Sequence, residues 1–230
     1  MNIELQNVLN EFIKTLNEVE ILITSADANA SEEEKYTTFN KSALLLLTGK
    51  FENFVEVLAE EYLYEINRLN LPASRIPEML KLHHSYKSLE KLNIHINKND
   101  VDEIKKRFYE LGTIWVSNDN FGNLDIDCKF AYGKHGENEF RKLFNQLGIN
   151  DVFQEINVFV PDETLGTDTK TQIDFRGIFN SVIGMRNNIL HQDATPSLTH
   201  SDIRKYKTIF QIFAEQLTIS LDSQLSGISV

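Results

Sequence analysis

The stretch Met185-Arg186-Asn187-Asn188-Ile189-Leu190-His191 carries residue types at a spacing that could do chemistry. A histidine side chain exchanges protons at neutral pH. A guanidinium keeps its charge and can grip a phosphate or carboxylate through two parallel donors. Helical periodicity relates the two. With Phe175 as reference and about 100° per residue, Ile178, Phe179, Val182, Ile183, Met185, Ile189 and Leu190 fall within about 80° of one stripe. Arg186 falls about 20° from its centre, inside the apolar face. Asn187 and His191 are four apart and lie together at the stripe's edge.

An Arg on an apolar face is almost never fully buried without a partner, and it cannot shed its charge. The position calls for a buried partner or for an interface that needs a fixed guanidinium. Glu52 and Glu56, flanking the apolar stripe of an earlier long helix, are the candidate partners. The residues alone leave two readings open: a site for chemistry, or a structural Arg–Glu pair with a capping His. In a chain with seven Arg and six His, the bare Arg-x4-His spacing arises by chance about 0.2 times. Weight comes from the Asn directly after the Arg, the place near the end of an amphipathic helix, and the apolar-striped helix that follows.

Other chemistries lack their motifs. The chain has no GxxxxGK[ST] loop, no GxGxxG and no HExxH. His83 and His84 are adjacent, point to different faces, and read as surface residues. The single Cys128 excludes an intrachain disulfide and a multi-Cys metal site, and fits a reducing compartment. No cofactor is called for. The 230 residues hold 23 Lys plus Arg against 34 Asp plus Glu, a net charge of −11. That balance argues against a protein that coats nucleic acid by charge alone, and against docking on anionic membranes. Met1 to Phe12 has no basic or apolar leader, and the longest apolar run, Ala43 to Leu47, is too short to span a bilayer. The expectation is a cytoplasmic protein.

Elements must hold the stretch in place. Gly and Pro, 10 and 4 of 230, are scarce, which favours long helices. Helical spacing predicts a first helix over 3–23, then a connector at 25–30. Ser31 with Glu34 reads as a capping box. A long helix follows over 32–68, with Ala43, Leu44, Leu47, Phe51, Phe54, Val55, Leu58, Tyr62 and Ile66 on one stripe. Shorter helices are expected over 77–92, 100–111 and 137–147. Leu124, Ile126, Cys128 and Phe130 alternate with Asp125, Asp127 and Lys129, the period of a half-buried strand. Thr113 to Ser117 could pair with it, giving a β-hairpin insertion near 113–131. Val160 to Lys170 reads as a loop. A helix is expected over 172–191, and another to about 225, capped by Thr199 and Asp202. The whole reads as one all-α domain, 1–230, with that small hairpin.

With these residues in view, the sequence resembles the HEPN superfamily. Its members are antiparallel helical bundles with an R-x4–6-H motif, often R-N-x-x-x-H, near the end of the penultimate core helix. The match is Arg186-Asn187-Asn188-Ile189-Leu190-His191. Residues 43–63, with Phe51-Glu52-Asn53-Phe54-Val55-Glu56, look like the early core helix of the stand-alone bacterial branch. Tyr132-Gly133-Lys134-His135-Gly136, Lys142-Leu143-Phe144 and Leu147-Gly148-Ile149 are similar to that branch as well. The resemblance covers about two thirds of the chain, and is vaguest over 70–120.

The resemblance implies a metal-independent endoribonuclease, a homodimer with two motifs meeting at a composite site, serving as a toxin or antiviral effector in a toxin–antitoxin or phage-defence setting. The substrate would be RNA rather than DNA, the partner an antitoxin or defence protein, and no membrane is involved. HEPN toxins paired with a nucleotidyltransferase carry Tyr two residues after the His. Asp193 stands there, which removes support for that pairing. His191 would move protons, Arg186 would clamp phosphate oxygens, and Asn187 would position the phosphate or the ring. The products would be a 2′,3′-cyclic phosphate and a 5′-hydroxyl. Arg186 and His191 lie about 140° apart around the helix, so a second copy is needed to converge them. The alternative is a non-catalytic HEPN domain that binds RNA, a nucleotide or a protein. Arg204, Lys205 and Lys207 could touch RNA phosphates or form a solvated face. Trp115 and Tyr132 could stack on a base or pack internally, and His135 reads as a loop residue.

Overall fold

The computed structural model describes residues 2–130, 136–161, 170–192 and 194–229. Eight α-helices dominate those residues, with two small antiparallel strand pairs. The fold is the expected all-α bundle.

Helix α1 (Ile3–Ala28) starts at Asn2, whose side chain accepts from the backbone N–H of Glu4 at 2.9 Å and Leu5 at 3.2 Å. Such a cap satisfies donors that the first turn leaves open. Leu5, Leu9, Phe12, Leu16, Val19, Ile23 and Ala26 form its buried face. The expected connector at 25–30 is largely helical. The Ser25 hydroxyl donates to the Ile21 carbonyl at 2.8 Å, which keeps that polar residue within the helix.

Helix α2 (Glu33–Leu69) is the central strut, packing against α1, α7 (Phe175–Gln192) and α8 (His200–Ser229). Its N-cap is Glu32, with no side-chain hydrogen bond, so the Ser31–Glu34 capping box does not form. Gly49 lies inside α2 without ending it. After β1 (Leu71–Pro72), α3 (Glu78–Asn97) and α4 (Val101–Val116) form an antiparallel helical hairpin.

The extra β-structure sits differently from the expectation. Thr113 to Val116 belong to α4, not to a strand. The strand of that region is β2 (Asn120–Phe121), and it pairs with β1, Leu71 opposite Phe121. Residues 124–128 keep the alternation: Leu124, Ile126 and Cys128 are buried, and Asp127 is exposed. Yet they join no ladder, because side chains take the place of a neighbouring strand. The Asn67 amide donates to the Leu124 carbonyl at 3.0 Å and accepts from its N–H at 2.7 Å. The Asp125 N–H donates to His84 Nδ1 at 3.0 Å, and the Phe130 N–H to Glu56 Oε1 at 2.8 Å. Backbone donors must be satisfied, and here α2 and α3 do it. Gly122 is required, since a Cβ there would lie 2.8 Å from the Asn67 carbonyl oxygen.

Helices α5 (Glu137–Gln146) and α6 (Val152–Glu155) lead into β3 (Val158–Pro161), which pairs with β4 (Lys170–Ile173). Val160, Pro161 and Lys170 are therefore in strands, not in a loop.

Among the described residues, nearly all buried apolar side chains form one cluster. Its centre is aromatic. Phe51 of α2 meets Phe140 of α5, Phe179 of α7 and Phe210 of α8 at centroid distances of 4.7–6.3 Å. Phe175 of α7 stacks on Phe213 of α8 at 3.9 Å. Aromatic pairs of this kind add about 0.5–1.5 kcal/mol each beyond area burial. They seat the N-terminal half of α7 and so fix the direction in which its C-terminal half emerges.

Candidate nucleic-acid site on α7

Of the predicted stripe on α7, Phe175, Phe179, Val182, Ile183 and Ile189 are buried, Ile178 and Met185 are half-buried, and Leu190 is exposed instead. Arg186 lies among them, its side chain 17% exposed. Its Nη2 stands 3.5 Å from Glu52 Oε2, and its Nη1 donates to the Asn187 amide oxygen at 3.2 Å. Glu52 is itself largely covered, at 14%. Glu56, the other candidate, is bonded to the Phe130 backbone. The two glutamates divide the work: one faces the guanidinium, the other ties down the extended segment.

Burial pushes the Glu52 carboxyl up to about 7, and the neighbouring Glu56 adds to the rise. Arg186 pulls the other way without cancelling the cost of burial.

Asn187 and His191 are exposed, and so is Leu190 beside them. The C-terminal half of α7 thus shows a polar pair, an apolar side chain and, behind them, a guanidinium held back by α2. The loop after α7 is pinned to the other end of α2. The Asn40 amide, buried, donates to the Leu198 carbonyl at 3.1 Å. The Tyr36 hydroxyl lies 3.3 Å from His200 Nδ1 and accepts from the His200 N–H at 3.4 Å. Thr199 and Asp202 form the expected reciprocal cap, N–H to carboxylate at 3.0 Å and N–H to hydroxyl at 3.1 Å.

The sequence patterns do not single out Tyr36 or Asn40. Asn40 had a signal: it sits three and four residues before Ala43 and Leu44, on the buried stripe of α2. Tyr36 had none, because its partner is 164 residues away.

Arg204 and Lys207 both pair with Glu20 of α1, Arg204 through Nε at 3.0 Å and Nη2 at 2.9 Å. Lys205 is exposed. Trp115 stands in α4, its indole N–H donating to the Ser85 hydroxyl at 2.6 Å. His84 is buried rather than on the surface, and His83 is half-buried. Burial also raises the Cys128 thiol to about 12, which keeps it protonated and unreactive. Tyr132, His135 and Asp193 lie outside the described residues. Among the described residues, no group of three or more His, Cys, Asp or Glu could hold a metal ion. Among them too, no helix is long and apolar enough to cross a membrane.

The sequence matches the family model described as RiboL-PSP-HEPN over residues 10–223. The chain belongs to the RiboL-PSP-HEPN family. Comparisons with curated proteins and with solved structures return no match. The match runs from within α1 to near the end of α8, so in this RiboL-PSP-HEPN protein the α3–α4 hairpin lies inside the matched span. The HEPN resemblance of Arg186–His191 thus extends to nearly the whole chain.

Proposed function

We propose that this HEPN protein is a metal-independent endoribonuclease that works as a homodimer. The observation that carries the reading is the division along α7: Arg186 is held against Glu52 while Asn187 and His191 stand exposed. A guanidinium fixed in direction needs no reorganisation when charge develops, which is what stabilisation of a phosphorane requires. An exposed imidazole is free to exchange protons with substrate.

The chemistry follows from these groups. His191 of one copy takes the proton of the RNA 2′-hydroxyl, whose oxygen attacks the adjacent phosphorus. Arg186 neutralises the phosphoryl oxygens, with Asn187 holding the phosphate. The 5′-oxygen leaves with a proton from His191 of the second copy. The ends are a 2′,3′-cyclic phosphate and a 5′-hydroxyl. Half-exposed Leu190, between the polar groups, supports a two-fold contact of the two α7 faces. Activity of this kind suits a toxin or antiviral effector restrained by a partner protein.

The test is digestion of RNA in EDTA by wild type, Arg186→Ala and His191→Ala. Loss of cleavage in both variants is expected, with cyclic phosphate ends from wild type. Equal cleavage by all three would remove the site. RNA binding without cleavage, lost in Arg186→Ala, would replace the enzyme with a binding domain. Expression of wild type is expected to slow growth, and His191→Ala to relieve it.

A further inference from the structure

The α3–α4 hairpin exposes apolar side chains in a regular pattern. Leu82, Leu89 and Ile96 of α3 recur every seven residues, and so do Val101, Phe108 and Trp115 of α4. Each is about half exposed, 47–58%. The register of the hairpin pairs them. The Trp115 indole reaches Ser85 at 2.6 Å and lies over Lys81, while His95 and Asp100 meet across the turn at 3.3 Å. Three layers result: Leu82 with Trp115, Leu89 with Phe108, and Ile96 with Val101. Of α4's sixteen residues only Ile114 is buried, although its sequence is amphipathic.

The hairpin's other sides are taken. Ser85, Ser88 and Leu92 of α3 are buried, Ser85 against Trp115 of α4, and Ile114 of α4 is buried in the core cluster. His84, Lys87 and Lys91 hold Asp125 on the body side. The layered face points away from the body. Apolar side chains at a seven-residue repeat are what helices bury between them in coiled-coil packing. A contiguous exposed patch of this kind marks an interaction site.

We propose that this face binds the same face of a second copy, forming a four-helix layer with a two-fold axis through the Leu89–Phe108 layer. Three properties select a second copy. The pattern is self-complementary: the axis lays the Leu82–Trp115 layer of one copy on the Ile96–Val101 layer of the other. The charge permits it: residues 78–116 hold seven Lys and Arg against six Asp and Glu, net +1, while the remainder carries −12. Two acidic copies therefore meet without like-charge repulsion at the hairpin, and the antiparallel arrangement puts their bodies at opposite ends. The area suffices: helices about 30 Å and about 24 Å long, each about 10 Å wide, offer about 540 Å² of planar face per copy, about 1,100 Å² for the pair, above the roughly 1,000 Å² that a specific interface needs. This contact is distinct from the α7 contact and does not depend on it. A chain with both has two isologous faces and assembles beyond a dimer.

The experiment is hydrogen exchange on the wild-type chain at rising concentration, with light scattering for mass. Protection of residues 101–116 is expected to grow with concentration. Leu89→Lys with Phe108→Lys, on exposed positions, is expected to abolish that growth and halve the mass of the largest species. Leu190→Lys, on α7, is expected to leave the hairpin's protection in place. Protection that does not change with concentration overturns the proposal, as does protection that appears only when RNA is added. The wild-type measurement decides the matter even if the double variant does not fold.

Discussion

Arg186 of α7 and Glu52 of α2 face each other at 3.5 Å across a largely buried contact, 134 residues apart in the chain. The pair locks the C-terminal half of α7 to the central helix, and it leaves Asn187 and His191 on the open side.

Arg186 and His191 should therefore differ in what they cost. Removing Arg186 takes a cation away from the covered Glu52 carboxyl. Arg186→Ala is expected to lower stability by about 1–3 kcal/mol. His191→Ala, at an exposed position, is expected to stay within about 0.5 kcal/mol. Urea unfolding of both variants measures the difference. Loss of RNA cleavage in His191→Ala without loss of stability would separate chemistry from folding.

Glu52 should give the stability a pH dependence of definite sign. Its carboxyl is raised from 4.5 to about 7 by burial. A raised acid holds its proton in the folded chain and loses it in the unfolded one, so its contribution is complete below about 4.5 and lost as pH rises through about 7. The expected size is on the order of 3 kcal/mol. Glu52→Gln should flatten the decline of stability between pH 5 and 7. Denaturant titration at several pH values checks this, and an unchanged slope would assign the dependence elsewhere.

His84 should act in the opposite direction. Its Nδ1 accepts the Asp125 N–H, so the bond exists only for the neutral ring, and burial lowers its affinity for a proton. A base lowered in the folded chain contributes stability that is present above its unfolded value and lost as pH falls. As pH falls and the ring gains its proton, the protection of the Asp125 amide, relative to its intrinsic exchange rate, should drop. Lys91, on the carboxylate of Asp125, and Arg107 resist protonation of the ring, while Asp125 and Glu110 favour it. Amide exchange at Asp125 in wild type and His84→Gln reads the effect.

Asn40 should matter more than its place in a polar-looking stretch suggests. Its buried amide carries the Leu198 carbonyl. Asn40→Ala leaves that acceptor unpaired and opens space beneath the loop. The expected cost is about 2 kcal/mol, which for a chain of this size lowers Tm by about 4–8 °C. Scanning calorimetry tests it. A silent substitution would mean that Tyr36 and the Thr199–Asp202 cap hold the loop alone.

Local rules make much of this protein legible in its sequence. The shortage of Gly and Pro, and apolar residues at steps of three and four, define the helices, since each helix must bury one stripe. The Thr199–Asp202 cap is legible for the same reason: its partners are three residues apart. So is the unusual place of Arg186 within an apolar stripe. Other features depend on residues brought together over long separations. Alternation from Leu124 to Phe130 settles which side chains face inward, but only tertiary structure decides that Asn67, His84 and Glu56 supply the hydrogen bonds of a missing strand. Periodicity names Glu52 and Glu56 equally as partners for Arg186; the packing angle of α2 on α7, set by the Phe51 cluster, gives the contact to Glu52. Charge composition shows Arg204 and Lys207 as free cations, yet α1 brings Glu20 onto both. Sequence determines the faces that each element can present. Which face meets which is a property of packing, because burial is favourable against any apolar surface and direction comes only from shape.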